Sequence, residues 1–583
     1  MSSVNDLKKE LRTKGQKGIN GRPVTLLLTV CERTFEYYNG IRVRFSPTDN
    51  RHFENVAMYC RIDASRIGVP AETVTENAVF FEDYLLRLLA PHISKLEKMY
   101  VNENKVDHLN GKIACQMTDQ TVCRRSGMLY DRERDTFIMK IFVTFPTGGG
   151  HTILGERTVR MITDILKLID EKLDTIDKDE LSAGLQCFRK QQMIRRYCED
   201  NGLAAFIGDG SILPRRGDTE LPLEGAVPFS SPETLRVPVP LGNGEVIHGM
   251  GIPRGVTVIT GAGFSGKTTL LEALEAGIYD HIPGDGREYV ITDKSALMTN
   301  SEDGRYVGNA DLSPFFTRIP GHDVHDFTTR HASGSVSQAV NITGAVSAGV
   351  RLLLIDEDKS ATNFMMRDGK MRRIIKNEII IPFTDRVREL SCEAGVSSVL
   401  VIGGSGEYLS CADLVILMED FVPRDITCEV KAAESLYSKI PAADWNIHRY
   451  LLPPVTERQF MYFGVVKTEN EQKIILDDNS ADITQLTAVT SAEQMNTLAY
   501  ISERLLREGS GDCEITVRAE ELLHEMFDGE DFRVDSMSRG VEARFYSEIR
   551  PIDAFACVDR MRGARFANKT IEIGTHSRIT TAT

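Results

Sequence analysis

Gly261-Ala-Gly-Phe-Ser-Gly266-Lys267-Thr268 has the spacing GxxxxGK[ST], the pattern of a loop that wraps phosphate. Its glycines let successive backbone N–H groups converge on one anion, and a helix starting at Gly266-Lys267 adds the positive end of its dipole. Lys267 can reach the β- and γ-phosphates, and the Thr268 hydroxyl can ligate Mg²⁺. Further along, Arg351-Leu-Leu-Leu-Ile355-Asp356-Glu357 is an apolar run ending in two acids. A strand with no polar alternation is covered on both faces, so its C-terminal end opens where ligands bind in such sheets. Asp356 is then placed to hold Mg²⁺ through water, and Glu357 to polarise an attacking water. Without the phosphate loop upstream, the two acids would read as the solvated end of a strand. A second Ser-Gly turn, Ala332-Ser333-Gly334-Ser335-Val336-Ser337-Gln338, opens a helix shortly before Asp356 and is another candidate anion site.

These groups need rigid elements behind them. From residue 256 onward, strands (256–260, 288–292, 352–355, 398–402, 414–418) alternate with helices (267–276, 335–348, 371–394), which predicts a mainly parallel sheet covered by helices. Residues 208–255 are rich in Pro and Gly and read as loops and edge strands. Two helical stretches precede them, 156–173 and 179–201. The first 150 residues mix β-rich runs (24–31, 41–45, 137–145) with a helical segment around 80–100, and end at the turn Pro146-Thr-Gly-Gly-Gly150. The expected division is an N-terminal α/β domain (1–155), a nucleotide core (156–435) and a C-terminal α+β domain (436–583).

Length and composition agree with several domains. The chain has 583 residues, with 69 Lys+Arg against 84 Asp+Glu for a net charge of −15. Hydrophobic residues at 42% and charged residues at 26% exclude wholesale disorder. The longest apolar runs fall far short of the roughly 18–20 residues that span a bilayer, so no membrane span is expected. Eleven scattered cysteines without a CxxC pair fit inert thiols in a reducing compartment. His322, His325 and His331 lack companions at ligand spacing and read as loop histidines rather than a metal site. The N-terminal stretch with Lys8, Lys9, Arg12, Lys14, Lys17 and Arg22 also holds Asp6 and Glu10, which favours a solvated helix over a presequence remnant.

The Ser-Gly turn resembles the signature of ABC-type ATPases, and Asp358-Lys-Ser360-Ala361-Thr362-Asn363 resembles the D-loop that follows their catalytic Glu. Ser211-Ile-Leu-Pro-Arg-Arg216, His281-Ile-Pro-Gly-Asp-Gly-Arg-Glu288, Glu302-Asp-Gly-Arg305, Asp311-Leu-Ser-Pro-Phe315 and Gly403-Gly-Ser-Gly-Glu407 add to this. The stretch from about Gly155 to Lys431 is similar to the non-transporter family known as predicted ATPases of the ABC class. The pattern is nearest to the family's kinetoplastid mitochondrial branch, which is associated with RNA editing. That resemblance implies a homodimeric, mitochondrial, RNA-binding ATPase that meets RNA-editing proteins and uses ATP and Mg²⁺. Gly261, Gly263, Gly266, Lys267, Thr268 and Thr269 would hold ATP, and Thr268 and Asp356 the metal. Ser333, Gly334 and Ser335 of a second copy would close over the γ-phosphate, Glu357 would be the general base, and Asn363 would communicate across the dimer.

Two departures stand out. Gly403-Gly404-Ser405 occupies the place of the switch histidine, so Ser405 could contact phosphate or water but not act as an imidazole, and turnover would be slow. The Gln of the usual Q-loop is absent, with Asp311 or Ser313 as substitutes, and no aromatic for adenine stacking stands out. For RNA, basic clusters at Arg189/Lys190/Arg195/Arg196, at Arg367/Lys370/Arg372/Arg373/Lys376 and across 539–578 could meet phosphates, with Tyr197, Phe545, Tyr546 and Phe566 stacking bases. Two other readings stay open: a nucleotide-clamped scaffold with negligible turnover, and a DNA-maintenance ATPase. The latter usually carries long heptad insertions, and residues 269–332 hold none. The absent switch and Gln residues also argue against a transporter subunit.

Overall fold

The computed structural model describes residues 2–16, 30, 33–48, 55–103, 111–148, 152–217, 219–242, 244–375, 377–431, 442–453, 467–469, 472–476, 479–528 and 544–568. The β run expected at 24–31 lies, except for residue 30, outside the described residues. The fold is mixed α/β throughout.

The N-terminal sheet centres on the antiparallel pair Asn55–Asp63 and Thr136–Thr144, which are in register from Asn55↔Thr144 to Asp63↔Thr136. Helix Ala78–Glu103 covers it, burying Phe81, Leu85, Leu86, Leu89 and Ile93. Helix Gly155–Asp174 buries its apolar face, Val159, Ile162, Ile165, Leu166 and Ile169, in the same core. The helix that follows residue 155 thus packs with the N-terminal sheet. Of the basic stretch at the start, Lys8, Lys9, Arg12 and Lys14 fall in helix Val4–Gln16, which has one buried face, and Lys17 and Arg22 lie outside the described residues. Val4, Leu7 and Leu11, spaced along one helical face, are buried in that core, while Lys9 is exposed.

The nucleotide core is built on two larger sheets. One is six-stranded, in the order Leu297–Met298, Leu352–Asp356, Ser397–Val401, Val256–Gly261, Leu414–Glu419, Val422–Asp425; its neighbours are parallel except for the last pair. The other is antiparallel and four-stranded, in the order Arg236–Pro240, Val246–Pro253, Leu203–Gly208, Val290–Thr292. The prolines at 238 and 240 fall on its edge strand, as their missing N–H requires. The strand read at 288–292 therefore belongs to the antiparallel sheet, not the parallel one. The helix read over 371–394 divides into Gly369–Ile374 and Phe383–Glu393, with Pro382 as the N-cap of the second.

The C-terminal segment does not flank the core as a separate layer. Helices Ala492–Glu508, Ile515–Asp528 and Pro551–Arg560 share one hydrophobic cluster with the nucleotide core, joining Leu498, Leu522 and Phe555 to Ile342, Phe315 and Val258. Residues 544–548 also reach the N-terminal unit: Gln116 Nε2 donates to the Tyr546 carbonyl (3.1 Å) and Ser547 Oγ (2.9 Å), and Lys140 Nζ lies 5.0 Å from the Phe142 ring and 5.6 Å from those of Phe545 and Tyr546.

A buried ionic cluster fixes the C-terminal helix to the core. Asp559 accepts from Arg305 Nη2 (2.7 Å) and from Arg449 Nη1. Arg560 pairs with Glu302, which also accepts from Asn341 Nδ2 (2.9 Å), and Arg449 lies 4.0 Å from the Phe566 ring. Burial works to raise the Asp559 carboxyl, but Arg449 and Arg305 outweigh it and hold it at about 2. The stability this pairing supplies is therefore complete above the ordinary carboxylate range and is lost as pH falls through about 2. Asp559→Ala, which strands two buried guanidinium groups, is expected to destabilise the protein by roughly 3–5 kcal/mol in urea denaturation at neutral pH.

Candidate functional site

Register carries the chemistry to one place. Ile259 pairs with Val401, and Val401 pairs with Asp356. The C-terminal ends of three parallel strands are thus level, and the segments that follow them (the phosphate loop, Asp356-Glu357 and Gly403–Ser405) emerge along one edge.

The phosphate loop is shaped by its glycines. Gly261 (φ +144°) sits so close to the next strand that a Cβ would lie 2.4 Å from Met418 O, and Gly266 adopts φ +97° at the helix start. Helix Lys267–Ala276 then presents Thr268 and Thr269 in its first turn. Lys267 Nζ donates to the carbonyls of Gly261 (2.8 Å) and Ala262 (2.7 Å), so the ammonium lies across the loop. Ser265 Oγ is buried without a hydrogen-bond partner inside the loop. This orphaned hydroxyl, the converging amides and the lysine form a donor set suited to a triphosphate.

Asp356 is buried at its strand end and caps the turn Glu357–Lys359 by accepting from Asp358 N (3.1 Å). A buried carboxylate at the end of this strand and an exposed Thr268 in the first turn after the phosphate loop are donors that suit a hydrated Mg²⁺. Glu357 is held by three donors: Gly403 N (2.6 Å) and Gly404 N (2.9 Å) on Oε2, and Ser405 Oγ on Oε1. The structure thus directs Ser405 to the carboxylate of Glu357. The two glycine amides as its holders were not anticipated, and only the long-range pairing of strands 352–356 and 397–401 reveals them.

The signature turn connects differently. Ser333 is the N-cap of helix Gly334–Ser347, with Ser335 in its first turn, and Gly334 packs where a Cβ would lie 2.4 Å from Ser301 Oγ of the same chain. Gln338, fully buried, donates to Ser360 Oγ (2.8 Å) and accepts from Ala361 N (2.8 Å), while Ser360 Oγ donates to Asp356 O (2.7 Å). Gln338 therefore splices the signature helix to the segment after the acids, a role unassigned in the sequence reading. Asn363 is exposed in helix Thr362–Met365 and accepts from Arg367 Nη1 at 3.4 Å. Asp311 closes its own turn through Ser313 N (2.8 Å) and faces His325 Nδ1 at 3.5 Å. Among the described residues no cluster of three or more His, Cys, Asp or Glu could hold a metal ion, and no helix is long and apolar enough to cross a membrane.

Much of the basic surface expected for RNA is spent internally. Arg195 is buried against Asp280 and Arg560 against Glu302, Lys190 pairs with Glu245, Arg367 with Glu378 and Arg372 with Asp385. Tyr546 and Phe566 are core residues that cannot stack on bases, and Phe545 packs on Phe142 at 4.8 Å. Arg196, Lys370 and Arg373 remain exposed; Lys376 and much of 539–578 lie outside the described residues.

Residues 177–447 match the family model of the ABC ATPase P-loop domain. An uncharacterised protein of Methanocaldococcus jannaschii is 32% identical over 279 residues, covering 45% of this chain and 60% of that protein, so the match spans under two thirds of the relative's length. The solved structure of cbiO1 from Clostridium perfringens, part of the ABC transporter complex cbiONQ, aligns at 14% identity over 40% of this chain and 91% of its own. The TM-score of that alignment is 0.26. The six-stranded sheet and the phosphate loop lie within this matched segment, whose α/β core is consistent with that of an ABC-type P-loop domain.

Gln338→Leu keeps the side-chain bulk but leaves Ser360 Oγ and Ala361 N without their partner. A loss of about 1–3 kcal/mol is expected in chemical denaturation, with faster amide hydrogen exchange at Ala361.

Proposed function

We propose that the protein is a homodimeric ATPase in which two copies close over ATP and Mg²⁺ and couple that closure to RNA. The observation that carries the ATPase reading is Glu357, anchored at the level of Asp356 on the edge where the phosphate loop emerges. In this reading the loop amides and Lys267 hold the phosphates, and Thr268 and Asp356 hold the metal, which would neutralise phosphate charge. Glu357 takes a proton from water as the water oxygen bonds to the γ-phosphorus and the bond to the β-phosphate bridging oxygen breaks. A second copy is supported by the fully exposed Phe264 at the tip of the phosphate loop and by the exposed Ser333 at the N-terminus of the helix that carries Gly334 and Ser335. The RNA part rests on the resemblance and on exposed Arg196, Lys370 and Arg373; RNA-editing partners and a mitochondrial setting rest on the resemblance alone.

A clamp with negligible turnover is the second reading, favoured by the uncharged Ser405 in contact with Glu357. Steady-state hydrolysis separates the two, since a clamp stays silent with and without RNA. For the ATPase, Glu357→Gln is expected to lower kcat by about 10²–10⁴-fold and to retain an ATP-bound dimer in size-exclusion chromatography. Hydrolysis by that variant at the wild-type rate removes Glu357 from the base role. RNA binding that weakens steeply with salt and depends on a non-hydrolysable ATP analogue supports the coupling. Equal binding with and without the analogue removes it.

A further inference from the structure

Among the described residues, six non-glycines adopt left-handed backbone: Asn39, Asp135, Phe264, Asn309, Asp420 and Phe421. Asn and Asp tolerate this region, whereas an aromatic side chain there is strained by about 1–3 kcal/mol. Both aromatic cases adjoin the phosphate loop. Phe264 belongs to it, and Phe421 touches it: a Cβ placed on Gly266 would lie 3.1 Å from the Phe421 ring.

Asp420-Phe421 is the two-residue loop of the hairpin formed by Leu414–Glu419 and Val422–Asp425, closed by the pair Glu419↔Val422. With φ +48° and +68°, this turn selects Asp-Gly, and here a phenylalanine stands in the glycine position. The turn is not burying the ring for stability, because Phe421 is 56% exposed.

Its position gives the strain a use. In the sheet, the phosphate-loop strand lies between two neighbours, Ser397–Val401 and Leu414–Glu419. Asp356 and Glu357 lie on the side of the first, so the terminal phosphate and metal of a bound nucleotide belong there. A nucleotide whose terminal phosphate lies there can extend its other end toward the second. Gly261 pairs with Met418, so residues 419–421 project past the strand ends on the same edge as the loop, on that opposite side.

We propose that Phe421 is the stacking platform for the nucleobase of the bound nucleoside triphosphate, held in a strained turn so that its ring stands beside Gly266. The ring has no polar atoms, so it stacks on any base and favours the larger area of a purine. The assignment rests on the nucleotide reading above and supplies the aromatic group that the sequence did not reveal.

The test is Phe421→Gly, with Phe421→Tyr as the conservative variant, titrated with ATP and with inorganic tripolyphosphate by calorimetry in the presence of Mg²⁺. Expected are ATP binding about fivefold to a hundredfold weaker in the glycine variant, unchanged tripolyphosphate binding, and near-wild-type ATP binding in the tyrosine variant. The melting temperature of the glycine variant is expected to be unchanged or higher, because glycine relieves the turn. Unchanged ATP affinity in the glycine variant overturns the assignment, and so does an equal loss of both ligands. Wild-type protein that binds neither ligand overturns the nucleotide reading itself, and the platform with it.

Discussion

The row of paired residues Ile259, Val401 and Asp356 is the constraint on which the site depends. Parallel pairing fixes which residues are level, and a slip of one position would turn every side chain to the opposite face. The buried apolar residues of these strands hold the register, because each is covered on both sides and none can face water without loss. With the register fixed, the phosphate loop, the two acids and Gly403–Ser405 have one edge on which to emerge. The short hydrogen bonds to Glu357 are a consequence of that levelling.

Connections outward from this edge are polar rather than apolar. Gln338 ties the signature helix to Ser360 and Ala361, and Ser360 is tied to the carbonyl of Asp356. The same helix carries Asn341, which joins Glu302, Arg305 and Arg560 in the buried ionic cluster. Such a cluster contributes little net stability over an apolar replacement but penalises every arrangement in which one partner is missing. The C-terminal helix Pro551–Arg560 is thereby specified to a single seat against the signature helix. The cluster also changes how a net charge of −15 reads, since several arginines counted in it are neutralised inside the protein.

What the sequence made legible was local. The phosphate loop, the acid-tipped strand and the Ser-Gly turn each depend on a few consecutive residues, and each stands where its pattern required. What stayed hidden depends on distant pairing. Nothing near Ser405 names Glu357 as its partner, and nothing near Gly266 names Phe421. The aromatics Tyr546 and Phe566 looked available beside their arginines, yet the hydrophobic effect claims large rings first, and the core absorbs both. The short strand Val290–Thr292 was misassigned because periodicity cannot tell which of two sheets a three-residue run joins. Pro382, by contrast, was a readable stop signal inside the run taken as one helix.

In the proposed ATPase, a serine rather than an imidazole beside Glu357 would have a mechanistic cost in its own right. A carboxylate that accepts from two amides and a hydroxyl has most of its lone-pair directions filled. As the proposed base, Glu357 keeps one lone-pair direction on Oε1 to receive a proton from water, and gains a second if one of those donors turns away. The glycine amides belong to a backbone fixed by the strand before them, whereas the serine hydroxyl turns about a single bond. The donor that yields most easily is therefore Ser405. A hydroxyl that can rotate between Glu357 and an incoming water or phosphate oxygen would act as a latch on the base. It carries no charge to favour a transition state, so in the proposed ATPase this arrangement would suit slow turnover more than rapid cycling.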